Sequence, residues 1–219
     1  DKKYSLPTNI PDGDYTLNAE ESDLYDQSNI NLNTKIINQI TNTIKSTNQI
    51  YSKNSSDFKF YNLGDDRYAI KTDNGYEEIT GVSTLDFTDQ DLSLTTDIKA
   101  TFDQVTGKDN HTGKMFRLYN AAFARFPDAS GLEYWIEQNG SGVNSDRQVA
   151  ESFLVSDEFE ATYGENISNK TYVEILYLNV LGRDYDHEGY EYWLGQLNNG
   201  QENRGELLLG FAESDENKA

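Results

Sequence analysis

The sequence predicts an α+β chain, with a small antiparallel β-meander followed by a duplicated all-α helical domain. Three observations carry this. Apolar residues alternate in short period-two runs between Phe58 and Thr96, they recur at helical spacing beyond Asp97, and the chain after Met115 repeats itself at an offset of 58 positions. The expected divisions are a leader over 1–57, a β-module over 58–96 and a helical domain over 97–219, whose repeats run from about 118 to 159 and from about 176 to 217.

The leader carries Pro7, Pro11 and Gly13, then an Asn/Thr/Ile tract from Ile30 to Tyr51 that reads two ways. Ile37, Ile40 and Ile44 fall at helical spacing, whereas Ile30, Leu32, Ile36, Ile40, Ile44 and Ile50 all sit on even positions, as one face of an extended chain requires. Both readings stand at this level. In the β-module, Phe58 and Phe60, Tyr68 and Ile70, Leu85 and Phe87, and Leu92 and Leu94 alternate with polar residues. Asp73-Asn74-Gly75, between Arg67–Thr72 and Tyr76–Thr80, predicts a hairpin in which Asn-Gly supplies two positive-φ residues.

Asp97 is the expected cap of a first helix that carries Ile98, Phe102 and Val105 on one face and stops before Gly107. Ser145 with Gln148 has the form of a capping box, and Ser156 and Ser168 each precede a further helix start. The 58-residue shift then lays Tyr119 on Tyr177, Arg125 on Arg183, Asp128 on Asp186, Gly131 on Gly189, and Glu133-Tyr134-Trp135 on Glu191-Tyr192-Trp193. Phe153 falls on Phe211, and Ser156-Asp157-Glu158 on Ser214-Asp215-Glu216. Each copy holds Arg-x-x-Asp-x-x-Gly-x-x-Tyr-Trp. In the structural reading Asp128 and Asp186 cap helices, Arg125 and Arg183 pair with them or cap the preceding helix, Gly131 and Gly189 allow close approach, and Trp135 and Trp193 fill the core.

The stretch from Phe116-Arg117-Leu118-Tyr119 through Arg125-Phe126-Pro127-Asp128 to Glu133-Tyr134-Trp135, with its echo from Leu181-Gly182-Arg183-Asp184 to Glu191-Tyr192-Trp193, resembles the domain of unknown function numbered 4214 over roughly residues 112 to 217. The preceding run from Gly75 through Ile79-Thr80-Gly81 to Asp89 is similar to the β-segment that leads into this domain after RTX-type calcium-binding solenoids. The resemblance implies a place in large secreted or surface proteins of bacteria, RTX-type and S-layer-like ones included. It brings no catalytic residues, and the glycine-rich calcium nonapeptide of true RTX repeats is missing from this chain.

Composition narrows the functions. With no Cys and only two His, thiol catalysis, disulfide scaffolds and the common zinc frameworks are excluded. Eighteen Lys and Arg against 38 Asp and Glu give a net charge of −20, which repels a phosphate backbone and makes nucleic acid an unsuitable partner. No apolar run is long enough for membrane insertion. The chain starts at Asp1 and its one Met is Met115, so it reads as part of a longer polypeptide. Excess acid, no Cys and abundant Asn, Thr and Ser suit an extracellular or cell-surface setting rich in calcium.

Hydrolase, phosphate-loop and dinucleotide motifs are lacking, and His187 reads as a loop residue, so no enzyme and no organic cofactor are expected. Calcium is the one cofactor considered. Asp184, Asp186 and Glu188 alternate before Gly189 like the opening of a calcium loop, but its twelfth position is Gly195 where a bidentate Glu is needed. Asp86, Asp89 and Asp91, beside Leu85 and Phe87, form the second acidic candidate. Fifteen Tyr raise a polysaccharide platform as the alternative. The leading expectation is a structural or assembly module whose partners are other copies of the same surface protein.

Overall fold

Period-two alternation produces the first layer. In the computed structural model, which describes residues 48–218, six strands are present: β1 (Asn48–Ile50), β2 (Lys59–Gly64), β3 (Arg67–Thr72), β4 (Gly75–Glu78), β5 (Thr84–Asp86) and β6 (Asp91–Ser93). They form two three-stranded sheets, and most of the ambiguous Asn/Thr/Ile tract lies outside the described residues. The order β2-β3-β4 is the antiparallel meander, with Phe60 opposite Ile70 and Lys59 opposite Lys71. The other sheet has the order β1-β5-β6, and there β1, which comes from the stretch read as leader, runs parallel to β5. A side-chain hydrogen bond from Gln49 to Glu77 links the two sheets.

The hairpin at 73–75 forms, but its turn differs from the expected one. Neither Asp73 nor Asn74 takes a positive φ; Gly75 alone does, at 110°, where it pairs with Thr72. The two consecutive positive-φ residues sit one turn earlier, at Asp65 (52°) and Asp66 (55°), between β2 and β3. Asp tolerates the left-handed region, so this pair forms the two-residue loop, directly after Gly64 at φ 83°.

The first helix also starts earlier than expected. Ser93 is the cap: its side chain accepts the Thr96 N–H, while Asp97 Oδ2 accepts the Ser93 N–H at 2.7 Å. A π-helical turn, Leu94–Lys99, leads into α1 (Ala100–Asp103), and Ile98 and Phe102 are buried as the spacing predicts. Eight helices follow: α2 (His111–Phe123), α3 (Ala129–Gly140), α4 (Asp146–Leu154), α5 (Asp157–Tyr163), α6 (Asn169–Asn179), α7 (His187–Asn198), α8 (Arg204–Ala212) and the short α9 (Asp215–Lys218).

Their starts obey the repeat. The capping residues Asn110 and Ser168, Asp128 and Asp186, and Ser145 and Asn203 stand 58 positions apart. Ser156 caps α5, and its counterpart Ser214 accepts the Asn217 N–H at the start of α9. Two of the caps are full capping boxes, Ser145 with Gln148 and its counterpart Asn203 with Glu206. The shared architecture therefore begins near residue 110, upstream of the expected repeat boundary.

Apolar residues sort into two clusters. Phe60, Tyr68, Ile70, Ile79, Leu85, Phe87, Ile98 and Phe102 form the core of the β-module. The helical core contains Leu118, Leu132, Val149, Phe153, Tyr172, Leu176, Leu207 and Phe211. An aromatic seam joins them, because Phe126 packs on Phe60 (4.8 Å between centroids), Phe102 (5.1 Å) and Phe116 (5.7 Å). Buried Thr101 adds a hydrogen bond to the Pro127 carbonyl at 3.1 Å.

Gly75→Ala tests the turn. A Cβ at φ 110° is strained although it meets no neighbour, so the substitution is expected to cost about 1–3 kcal/mol in urea unfolding. A loss near zero would show that the hairpin tolerates another turn.

Candidate functional site

The repeated motif folds into the same knot twice. In the first copy Asp128 ends the loop before α3 with extended dihedrals and accepts the Gly131 N–H at 2.7 Å. Tyr119, on α2, donates its hydroxyl to the same carboxylate at 2.6 Å. Arg125 spans the loop: it grips Glu158 at the start of α5 with two hydrogen bonds (2.6 and 3.0 Å), touches Asp128 at 3.2 Å and lies over the Tyr119 ring at 5.2 Å. In the second copy Asp186 accepts the Gly189 N–H at 2.8 Å, and Arg183 grips Glu216 at 2.5 and 3.0 Å while lying 5.1 Å over the Tyr177 ring.

The glycines are explained by the tyrosines. A Cβ on Gly131 would stand 2.5 Å from Asp128 Oδ2 and 3.0 Å from the Tyr119 hydroxyl, and one on Gly189 would collide with the Tyr177 hydroxyl. The phenol fills the space that a side chain would need. Close approach is thus required between one tyrosine and the helix start, and not along the whole helix. The Glu158 and Glu216 partners were visible in the sequence as part of the Ser-Asp-Glu match, but their role as anchors of the Arg fork was not readable from it.

Charge follows geometry. Burial raises the Asp128 carboxyl, but hydrogen bonds from Tyr119, the Gly131 N–H and Arg125 outweigh it and hold the group below the usual carboxylate range. The Gly189 N–H does the same for Asp186, as Arg183 does for Glu216. Tyr119 is pushed well above its ordinary value by burial and by Asp128. These shifts describe locked ionic groups and leave none near neutrality to exchange a proton.

Trp135 and Trp193 occupy like environments, each with a neighbouring Tyr edge-on at 4.9 and 4.8 Å. Both are half-buried and pack against the helical core from its edge, which corrects the expectation that they fill it. Leu132 and Tyr190, three positions before each Trp, are buried instead.

The acidic candidates are not assembled into metal sites. Among the described residues no group of three or more His, Cys, Asp or Glu is arranged to hold an ion. Asp186 is engaged by Gly189 and Arg183, Asp184 lends only its backbone carbonyl to Arg183 (3.1 Å), and Glu188 is an exposed first-turn residue of α7. Asp89 accepts the Ser55 N–H (2.7 Å) and hydroxyl (2.8 Å), which closes a loop of the β-module. Asp86 lies opposite Asp91 across β5 and β6, and its Oδ1 is buried with no hydrogen-bond partner among the described residues.

The larger concave feature was not singled out by the sequence. A cleft of about 350 Å³ lies between the β2-β3-β4 sheet and the helices. Its sheet wall carries Lys59, Tyr61, Lys71 and Tyr76, and Asn120, Val180, Leu181 and Asn217 are on the helical side.

Residues 150–219 match the family described as Domain of unknown function (DUF4214). The match spans about a third of the chain and covers the second copy with the end of the first. No curated protein and no solved structure matches the chain. The resemblance seen in the sequence is therefore shown for the second copy, while the caps and the Arg fork give the first copy the same build.

Two expectations follow. Replacing an interior helix glycine by alanine normally stabilises by roughly 0.5–1 kcal/mol, and Gly195→Ala is expected to do so because a Cβ there meets nothing within 4 Å. Gly131→Ala should instead lose about 1–3 kcal/mol, since its Cβ must displace the Asp128 carboxylate. Urea titration of both variants checks the contrast, and equal signs would refute the close approach of Asp128 and Tyr119 to Gly131.

The second concerns pH. A carboxyl with a lower pKa in the folded chain contributes stability above its unfolded value, and that contribution disappears as pH falls through the folded value. Asp89, Asp128, Asp186 and Glu216 are all held low, and Glu78, gripped by Arg67, is lowered to about 2. Glu160, raised by its hydrogen bond with Glu165, runs the other way. Melting temperature should therefore fall as pH drops from roughly 4 toward 2, the span below the unfolded carboxyl values of about 3.9–4.3. A flat profile there would mean that the forks are not formed in solution.

Proposed function

We propose that this chain is a non-enzymatic structural module of an extracellular or cell-surface protein, built to hold its shape and to associate with further copies. The observation that carries the reading is the doubled knot: the polar groups most suggestive of chemistry, Arg125, Asp128 and Tyr119 and their counterparts Arg183, Asp186 and Tyr177, are engaged with one another and with Glu158 or Glu216. Charged side chains locked in this way serve architecture. Among the described residues no helix is long and apolar enough to cross a membrane.

A second reading, carbohydrate binding, is favoured by the cleft. There Tyr76, 67% exposed, lines the same concave site as Asn120 and Asn217, and a flat ring facing amides suits a sugar.

Association must overcome a net charge of −20, which repels over roughly 30 Å at 0.01 M salt. Calcium bridging exposed carboxylates such as Asp184 and Glu188 between copies would neutralise that charge, whereas sodium only screens it. Millimolar calcium is expected to raise scattering intensity or melting temperature where sodium at equal ionic strength does not. Identical curves in the two salts would remove calcium from the assembly reading.

A further inference from the structure

Two lysines on the sheet wall of the cleft, Lys59 and Lys71, are set apart from most cations of the described region. Most Lys and Arg side chains of the described region are held by carboxylates, as Arg125 is by Glu158 and Lys99 by Asp66 and Asp103, and so is Arg117 of the cleft wall, by Glu213. Lys59 and Lys71 have no carboxylate within salt-bridge distance among the described residues, although acids outnumber bases 38 to 18 along the chain. They stand directly opposite each other across β2 and β3, an arrangement in which like charges repel. Partial burial and Lys71 both push the Lys59 ammonium below its ordinary value, which is the electrostatic cost that a bound anion would relieve.

The walls around the lysines select for more than charge. Tyr76 pairs with Lys71 across β3 and β4, the Lys71 ammonium stands 5.9 Å from its ring centre, and Tyr61 meets the same ring edge-on at 5.0 Å. Opposite them, Asn120 and Asn217 spend their amide N–H groups on the backbone carbonyls of Arg125 (3.0 Å) and Ala212 (2.8 Å). Their Oδ1 atoms accept from no donor among the described residues. Hydroxyl groups would satisfy those acceptors, whereas a bare carboxylate would not. Glu216 also lines the cleft, but its carboxylate is taken by Arg183.

We infer that this cleft binds a carboxylated sugar, a uronate ring stacked on Tyr76 with its carboxylate between Lys59 and Lys71 and its hydroxyls donating to Asn120 and Asn217. The inference rests on the carbohydrate-binding reading and adds to it an anionic specificity and an address. A volume of about 350 Å³ is at the small end for ligand sites, so the cleft takes one or two rings of a longer acidic polysaccharide.

Calorimetric titration of the full chain with a galacturonate trisaccharide tests it, with a neutral galactose trisaccharide and triglutamate as comparisons. The uronide is expected to bind, and the other two at least 10-fold more weakly. Lys59→Gln with Lys71→Gln, and separately Tyr76→Ala, should each weaken the uronide at least 10-fold. Thermal melts should show Tyr76→Ala close to the parent and the double Lys→Gln variant no lower than it, since that variant removes the cross-strand repulsion, and so report an intact fold. Equal binding of triglutamate would reduce the site to charge alone and overturn the sugar assignment. Equal binding of the neutral trisaccharide would leave carbohydrate recognition standing and overturn the anionic specificity. No uronide binding, or binding indifferent to all three substitutions, would overturn the cleft itself.

Discussion

Everything in the helical domain depends on one constraint, that the N-terminus of α3 and of α7 must be capped by an aspartate held in place from outside its own helix. An uncapped start leaves backbone N–H groups without partners, and an aspartate cap supplies about 0.5–2 kcal/mol. The knot does more than cap. Tyr119 ties the Asp128 carboxylate to α2, and Arg125 ties the intervening loop to α5, so three helices meet at one charged centre. Half-exposed ion pairs of this kind are individually weak, and the bidentate geometry contributes specificity of placement more than energy. The second copy repeats the Asp cap and the Arg fork, without a Tyr177–Asp186 hydrogen bond and with its Arg more exposed, at 41% against 27%.

Where the copies differ, the difference follows from what each copy touches. Phe126, the anchor of the aromatic seam, corresponds at the 58-residue shift to Asp184, and Phe116 corresponds to Glu174. The first copy is apolar there because it packs against the β-module, and the second is acidic, with Asp184 exposed and Glu174 half-buried beside Lys170. A contact kept by different means shows the same logic: Lys114 pairs with Asp146 at 3.1 Å, and the equivalent Tyr172 donates its hydroxyl to the Arg204 carbonyl at 2.8 Å while the guanidinium lies over its ring. The acidic loop that imitates a calcium site in the sequence is thus the solvent-facing form of a docking loop.

The legible parts of the fold were those set by local chemistry. Ser145, Ser156 and Ser168 announce helix starts because a short side chain reaching the backbone N–H groups just ahead of it is a local event. The Asp128 and Asp186 caps and the duplication were legible for the same reason. The misplaced features depend on distant partners or on competition between equal local choices. The parallel pairing of β1 with β5 joins residues 36 positions apart, and nothing near Asn48 specifies it. Asn74-Gly75 suggests a turn with both residues at positive φ, yet the pairing of Thr72 with Gly75 makes Asp73-Asn74 the loop and leaves Gly75 alone at positive φ, so strand register sets which residues turn. Ser93 displaced Asp97 as cap because a reciprocal hydrogen bond uses both side chains. The cleft was least legible of all, since its lysines, tyrosines and asparagines come from strands and helices far apart in sequence.

The distribution of charge links shape to surface behaviour. In a chain with a net charge of −20, cations are scarce, and folding places most of those described against specific carboxylates. That pairing neutralises acid locally at the knots, so the residual negative charge resides on exposed loops and helix faces. Salt weakens repulsion between such exposed charges within a Debye length and affects partly buried forks much less. Rising ionic strength therefore relaxes the barrier between copies before it loosens either repeat. A module built this way keeps its fold while its surroundings change, and its surface, where the acids are unpaired, is the part that responds.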